Sequence, residues 1–161
     1  MTKSEISAAI DAQALERASR KTMRRDALSL LPQERGFATI VTGVRRCGKS
    51  TLLEQWASES KEKCVTVLFD DLRLIDFTTD DFSLLGKCLV ERNSHAVVLD
   101  EVQDVHGWER FVDGLLIKGC KVFVTGSNAK MRAIVARLVD SRRPEGRTPC
   151  RMRRGGPAPG N

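Results

Sequence analysis

Short apolar runs alternate with amphipathic segments along most of the chain. Four runs rich in β-branched residues predict buried strands, at residues 38–42, 64–69, 96–99 and 121–125. Apolar residues at helical spacing predict helices between them, at residues 49–60, 81–91 and 108–118. Because a helix separates consecutive strands, the pattern predicts parallel βαβ units with right-handed crossovers. We therefore expect an α/β fold, a parallel sheet with flanking helices in three α/β/α layers.

The segment before the first strand is also predicted to be helical, from Thr2 to about Leu31. Thr2 and Glu5 have the spacing of an N-terminal capping box. Ile6, Ile10 and Leu15 form a thin apolar stripe on the same segment. We therefore assign residues 1–34 to an N-terminal helical segment that packs as one or two helices.

Residues 43–50 match the complete phosphate-binding loop pattern, G-x-x-x-x-G-K-S, between the first strand and the first crossover helix. Glycines at both ends let the backbone wrap tightly, so that successive N–H groups converge on phosphate oxygens. Lys49 supplies a mobile positive charge for the β- and γ-phosphates, and the Ser50 hydroxyl is a ligand for Mg²⁺. The predicted nucleotide-binding residues are Gly43, Val44, Arg45, Arg46, Cys47, Gly48, Lys49, Ser50 and Thr51.

Two adjacent carboxylates, Asp100 and Glu101, directly follow the uniformly apolar third strand. The carboxyl ends of parallel strands share one edge of the sheet, so we expect Asp100 to lie beside the phosphate loop as a ligand of Mg²⁺. Glu101 is predicted to orient and polarise the attacking water. After the fourth strand, Gly126, Ser127 and Asn128 form either a sensor of the γ-phosphate or a plain turn.

Composition narrows the class of protein. Of the 161 residues, 30% are charged and 41% are hydrophobic, as in an ordinary globular domain. No apolar run approaches the roughly 20 residues that span a bilayer, and the first residues lack the apolar core of a signal peptide. We therefore predict a cytoplasmic protein without a membrane partner. Five widely spaced cysteines and only two histidines support neither a zinc site nor a disulfide framework.

The net charge of +6 is concentrated at the end of the chain. Residues 141–161 contain six arginines, one acidic residue and four of the five prolines, with hardly any large apolar side chain. Such a segment cannot offset the entropy cost of folding, so we predict a disordered basic tail. The remaining chain is close to neutral, and nucleic-acid binding is therefore not supported for the folded core.

The motifs together resemble one family. GVRRCGKSTLL, LFDDLRL, VVLDEVQDVHGWERF and VFVTGSN are similar, in this order and spacing, to the AAA+-like ATP-binding proteins of bacteria and archaea whose ATPase domain is followed by a domain of unknown function. The resemblance covers residues 26–138. It implies a five-stranded AAA+ P-loop ATPase core, at residues 35–140 here, that binds ATP and Mg²⁺. It further implies that residues 43–51 are the Walker A loop, Asp100 and Glu101 the Walker B pair, and Ser127 or Asn128 the sensor 1 position.

Proteins of that family continue well beyond this length, through the fifth strand, a helical lid and the C-terminal domain. We therefore expect a C-terminally incomplete core. The basic tail is interpreted either as the product of a truncated or frameshifted gene or as a genuine tail that contacts nucleic acid.

Weak Mg²⁺-dependent ATP hydrolysis is the predicted function, with Glu101, Lys49 and Asn128 as its catalytic residues. A nucleotide-binding fragment without catalysis is the first alternative, because it shares every motif. A P-loop small-molecule kinase is the second, although Glu101 directly after Asp100 fits water activation better. A superfamily 1 helicase is disfavoured, because Lys49 and Asp100 are too close in sequence for the domain that such helicases insert between them. The oligomeric state and any protein partner or client stay open.

Overall fold

The computed structural model describes residues 1–20, 28, 31, 35–43 and 47–126. Two short 3₁₀ turns, Leu72–Leu74 and Val102–Asp104, follow the second and third strands of this part of the chain. The helices and strands are α1 (Lys3–Ala18), β1 (Ala38–Thr42), α2 (Lys49–Glu59), β2 (Cys64–Leu68), α3 (Asp81–Glu91), β3 (Ala96–Asp100), α4 (Trp108–Ile117) and β4 (Lys121–Gly126). All four strands and the three crossover helices begin and end within one residue of their predicted positions, which confirms the predicted α/β pattern.

The four described strands form one parallel sheet in the order β1-β4-β3-β2. Ala38 of β1 lies opposite Val122 of β4, and Ala96 of β3 lies opposite both Lys121 of β4 and Cys64 of β2. Because the strands are parallel, the residues that follow β1, β3 and β4 meet at one edge of the sheet. This carboxyl edge carries the predicted functional residues.

Side chains alternate between the two faces of the sheet and fill a separate apolar cluster on each. Along β3, Val97 and Leu99 pack with α1, α3 and α4, whereas Val98 packs on the opposite face with α2. There the indole of Trp56 lies 4.3 Å from the ring of Phe123, centroid to centroid. Helices therefore cover both faces, which confirms the three-layer arrangement.

The predicted N-terminal helix is present as α1. Its capping box is present, since the Glu5 backbone N–H donates to the Thr2 hydroxyl and the Thr2 N–H donates to the Glu5 carboxylate. Helix α1 ends at Ala18, and most of the residues from there to Leu31, where a second helix is predicted as one of two alternatives, lie outside the described ranges. The predicted stripe is wrong at Leu15, which is 75% exposed.

The buried face of α1 continues from Ile6 and Ile10 to Gln13, and the half-buried Arg17 follows on the same face, because these positions repeat at helical spacing. Leu15 lies five residues after Ile10 and is rotated away from that face. The apolar pattern alone predicts that Gln13 and Arg17 face solvent, because both are polar. In the structure they lie on the face of α1 that packs against the sheet.

Gln13 and Arg17 cover the outer edge of β2. The Gln13 side-chain oxygen accepts from the Leu68 backbone N–H at 3.0 Å, and its amide nitrogen donates to the Leu68 carbonyl at 3.0 Å. Arg17 donates to the Thr66 carbonyl at 3.1 Å. An edge strand exposes unpaired backbone groups to solvent and to other strands. Here, side chains of α1 satisfy them in place of a further strand.

The fifth strand of the implied core and the basic tail would follow residue 126, outside the described residues. None of the helices within the described ranges combines the length and apolar character that crossing a membrane requires.

The burial of α1 yields a paired test of stability. We expect Ile10→Ala to lower the free energy of unfolding by about 2–4 kcal/mol, because Ile10 is buried in the core beneath α1. Leu15→Ala on the same helix should change it by less than about 0.5 kcal/mol, because Leu15 is exposed. Urea unfolding of both variants measures the difference. Equal losses would contradict the described orientation of α1.

Candidate functional site

Glycine stands at both ends of the loop between β1 and α2. A Cβ atom on Gly43 would lie 2.9 Å from the sulfur of Cys47, so a larger residue there would require the Cys47 side chain to move. Gly48, which caps the N-terminus of α2, has a φ of +87°, a left-handed conformation that L side chains rarely adopt. The predicted contact residues between them, Val44, Arg45 and Arg46, lie outside the described residues.

Lys49 lies in the first turn of α2, but its ammonium group reaches back to the loop and the edge of the sheet. Its side chain is only 5% exposed, its Nζ donates to the Gly43 carbonyl at 3.3 Å, and the same Nζ lies 3.7 Å from Oε1 of Glu101. Ser50 and Thr51 are half-buried in the same turn. Backbone N–H groups at the start of a helix favour an anion, so cationic and dipolar groups converge here.

Asp100, the last residue of β3, is nearly fully buried and is bonded to the neighbouring strand. The hydroxyl of Thr125, which is also fully buried, donates to Oδ1 of Asp100. The same hydroxyl oxygen accepts from the backbone N–H of Glu101 at 3.1 Å. One side chain of β4 therefore binds both residues of the predicted acidic pair.

Thr125 did not figure among the predicted site residues. Its signal in the sequence is a hydroxyl group at the end of an otherwise apolar strand. Because a buried polar group needs a hydrogen-bond partner, such a residue indicates a second polar group on an adjacent strand. The pairing of β3 with β4 identifies that group as Asp100.

Glu101 has an uncommon backbone conformation that directs it to the loop. Its φ of 54° is left-handed, which costs a residue other than glycine about 1–2 kcal/mol. The bond from its N–H to Thr125 stabilises this turn. Oε1 of its carboxylate lies near Lys49, as described above, and Oε2 accepts from Nε2 of Gln103 at 2.9 Å. Gln103 was also missed as a site residue, although it belongs to the DEVQ phrase.

The oxygen groups at this edge fit a hard divalent cation. No arginine or lysine within the described ranges forms an ion pair with Asp100, although its carboxylate is 4% exposed. A buried carboxylate is stable only with compensating partners, and a bound cation would supply the missing charge. Mg²⁺ prefers oxygen ligands such as the Asp100 carboxylate and the Ser50 hydroxyl. Ser127 and Asn128, the predicted sensor positions, lie outside the described residues, directly after Gly126.

A family model described as an AAA domain matches residues 35–143. The chain belongs to the AAA domain family. The match begins just before β1 and contains the loop after it, the acidic pair and β4. Membership of this family implies a P-loop nucleotide-binding domain, in agreement with the four-stranded parallel sheet.

Two curated relatives match part of this chain. Uncharacterized protein MJ1544 of Methanocaldococcus jannaschii is 33% identical over 114 residues, which are 69% of this chain and 25% of that protein. An uncharacterized protein of Haemophilus influenzae is 27% identical over 105 residues, which are 59% of this chain and 26% of that protein. The chain thus spans about a quarter of the length of these relatives.

The bond between Thr125 and Asp100 can be tested by a double-mutant cycle. We expect Thr125→Val to lower the free energy of unfolding by about 1.5–3 kcal/mol, because it removes the donor to a buried carboxylate. In an Asp100→Asn background the same substitution should cost less by at least about 0.5 kcal/mol, because no charge is left without its partner. Urea unfolding of the four proteins measures both values.

Thr125→Ser is the matched control, since it keeps the hydroxyl and removes one methyl group. It should lower the free energy of unfolding by about 1 kcal/mol through lost packing, and by the same amount in the Asp100→Asn background. If Thr125→Val costs the same in both backgrounds, the hydroxyl does not stabilise the carboxylate.

Proposed function

We propose that this chain binds ATP with Mg²⁺ at the carboxyl edge of the sheet and hydrolyses it. The observation that carries the proposal is the 3.7 Å separation of the Lys49 ammonium group from the Glu101 carboxylate, beside the loop that ends at Gly48. A cation that can bind phosphate and a carboxylate that can orient a water molecule thus lie next to each other. Membership of the AAA domain family supports the nucleotide, and the specific chemistry follows from these side chains.

Phosphate binding is assigned to residues 43–51. Backbone N–H groups of the loop and of the first turn of α2 donate to phosphate oxygens, and Lys49 neutralises the charge of the β- and γ-phosphates. Arg45 and Arg46 contribute further positive charge from the same loop. Ser50 and Asp100 would hold Mg²⁺, which would withdraw electron density from the phosphate oxygens.

Hydrolysis is assigned to Glu101. Its carboxylate orients a water molecule and accepts a proton from it as the water oxygen bonds to the γ-phosphorus. The bond from that phosphorus to the bridging oxygen breaks, and ADP and inorganic phosphate are the products. Gln103 supports this role, since it donates to one carboxylate oxygen and restricts its rotation. Asn128 is the proposed contact to the γ-phosphate.

The roles of Lys49 and Glu101 predict two separable losses. Lys49→Ala should weaken binding of Mg-ATP at least about tenfold, because it removes a charged contact worth about 1.5–3 kcal/mol. Glu101→Gln should retain binding and lose about 10²- to 10⁴-fold in phosphate release, because the amide cannot accept the proton. Calorimetry measures binding, and a phosphate assay on the same samples measures hydrolysis.

Lys61→Ala is the control for loss of a lysine, since Lys61 is exposed and lies after the end of α2. It should behave as the unaltered chain in both assays. Binding without hydrolysis by the unaltered chain would contradict the catalytic assignment and support a non-catalytic nucleotide-binding domain. If the folded chain does not bind Mg-ATP, the whole proposal fails.

Chemical labelling offers an independent readout of nucleotide in the loop. Cys47 is exposed, whereas burial raises the pKa of Cys64 to about 12 and also raises the pKa of Cys88. Thiols react as thiolates, so an alkylating reagent at pH 8 should modify Cys47 faster than Cys64 or Cys88. Mg-ATP at about ten times its Kd should slow modification of Cys47 about tenfold.

Peptide mass spectrometry follows each cysteine separately, including Cys120 and Cys150. Nucleotide should not change the labelling of Cys150, which lies beyond the matched region. In the Lys49→Ala variant the protection of Cys47 should fall to about twofold or less at the same nucleotide concentration, because its Kd is at least about tenfold higher. Equal labelling of Cys47 with and without saturating nucleotide would contradict binding at this loop.

A further inference from the structure

Two hydrogen bonds hold the hydroxyl group of Thr125 in place. The residue is fully buried near the end of β4, which lies between β1 and β3 in the sheet. Its hydroxyl oxygen accepts from the Glu101 backbone N–H at 3.1 Å, and its hydroxyl proton is donated to Oδ1 of Asp100. The χ1 angle of threonine is stiff, because two heavy atoms branch from its Cβ atom. The Thr125 hydroxyl therefore has a fixed position next to Asp100.

The direction of the bond to Asp100 follows from the groups that take part in it. A backbone N–H only donates and a carboxylate oxygen only accepts, whereas a hydroxyl group does both. Because the Glu101 N–H donates to the Thr125 oxygen, the single hydroxyl proton of Thr125 is left for Asp100. A donor therefore occupies Oδ1 of the Asp100 carboxylate before any cation binds.

The second oxygen of the Asp100 carboxylate, Oδ2, has a different environment. Among the residues that the structure describes, no donor forms a hydrogen bond with Oδ2, and no lysine or arginine forms an ion pair with the carboxylate. Asp100 is nevertheless only 4% exposed. Since a buried carboxylate oxygen needs a partner, Oδ2 is the atom that remains for a bound cation.

Mg²⁺ and Ca²⁺ differ in the way they bind a carboxylate. Mg²⁺ requires nearly octahedral coordination with oxygen ligands at about 2.0–2.1 Å. Ca²⁺ takes about six to eight oxygens at about 2.3–2.6 Å, and it often binds both oxygens of one carboxylate. A carboxylate that already accepts a hydroxyl proton on one oxygen offers a single ligand. This arrangement suits Mg²⁺ and deprives Ca²⁺ of an oxygen.

We propose that Thr125 determines the metal specificity of the candidate site, because it restricts Asp100 to one oxygen ligand and so favours Mg²⁺ over Ca²⁺. This inference rests on the proposed binding of ATP with a divalent cation. The restriction is built into the sheet, since the pairing of Leu99 with Val124 keeps the ends of β3 and β4 side by side. Thr125 contacts neither the nucleotide nor the cation in this arrangement and acts on the cation through Asp100.

Binding of ATP with each cation tests the proposal. In calorimetry at saturating Mg²⁺ or saturating Ca²⁺, the unaltered chain should bind ATP at least about tenfold more tightly with Mg²⁺. Thr125→Val replaces the hydroxyl with a methyl group of similar size and frees Oδ1 of Asp100. It should reduce the preference for Mg²⁺ at least about fivefold, chiefly because the affinity with Ca²⁺ rises. Thr125→Ser keeps the donor and should retain the preference of the unaltered chain.

A further variant tests the ligand itself, and thermal unfolding establishes that each variant is folded. Asp100→Asn should weaken ATP binding with both cations, and unchanged binding with both would overturn the proposal.

Equal affinity of the unaltered chain for ATP with Mg²⁺ and with Ca²⁺ would also overturn the proposal, and this measurement needs no variant. In folded Thr125→Val, an unchanged preference or an equal loss of affinity with both cations would show a purely structural role for Thr125 and overturn it as well. If the unaltered chain binds ATP with neither cation, the proposed function itself fails, and this inference fails with it.

Discussion

A buried carboxylate requires a hydrogen-bond partner, and Asp100 obtains one from the Thr125 hydroxyl on the adjacent strand. The bond depends on the parallel register of β3 and β4, in which Leu99 lies opposite Val124, so that the next residue of each strand meets the other at the edge. The Thr125 oxygen also binds the backbone of Glu101, which turns sharply after the strand. A single hydroxyl thereby bonds to both the last residue of β3 and the first residue after it.

The strand order makes this bond the centre of the candidate site. Because β4 lies between β1 and β3, the loop after β1 and the acidic pair after β3 approach each other across the end of β4. Lys49 bridges that distance from the first turn of α2 to Glu101. A shift of one residue in the pairing of β3 with β4 would turn Asp100 to the opposite face and separate it from Thr125. The register of the sheet therefore determines the geometry of the candidate site.

The sequence predicts the elements well because their signals are local. The periodicity of residues 81–91 and 108–117 and the apolar run of β3 identify helices and a strand without reference to any neighbour. The roles of Thr125, Gln103 and Gln13 depend on groups in other elements or on an uncommon turn. A local sequence pattern does not predict such partners. Leu15 shows the reverse case, since this apolar residue is predicted to belong to the stripe of Ile6 and Ile10, although helical geometry rotates it into solvent.

Lys49 and Glu101 form an ion pair before any phosphate binds. Lys49 and Glu101 lie 3.7 Å apart, with side chains 5% and 17% exposed, so a polyphosphate that binds Lys49 competes directly with Glu101. Glu101 retains a second donor in Gln103, and its carboxylate therefore keeps a partner when the lysine turns to phosphate. Loss of Lys49 removes a positive charge that attracts the nucleotide. Neutralising Glu101 removes a negative charge that competes with phosphate for Lys49, and it also removes the group that accepts the proton of the water. For this reason we assign nucleotide affinity chiefly to Lys49 and hydrolysis to Glu101. We expect the Glu101→Gln variant to bind nucleotide at least as tightly as the unaltered chain.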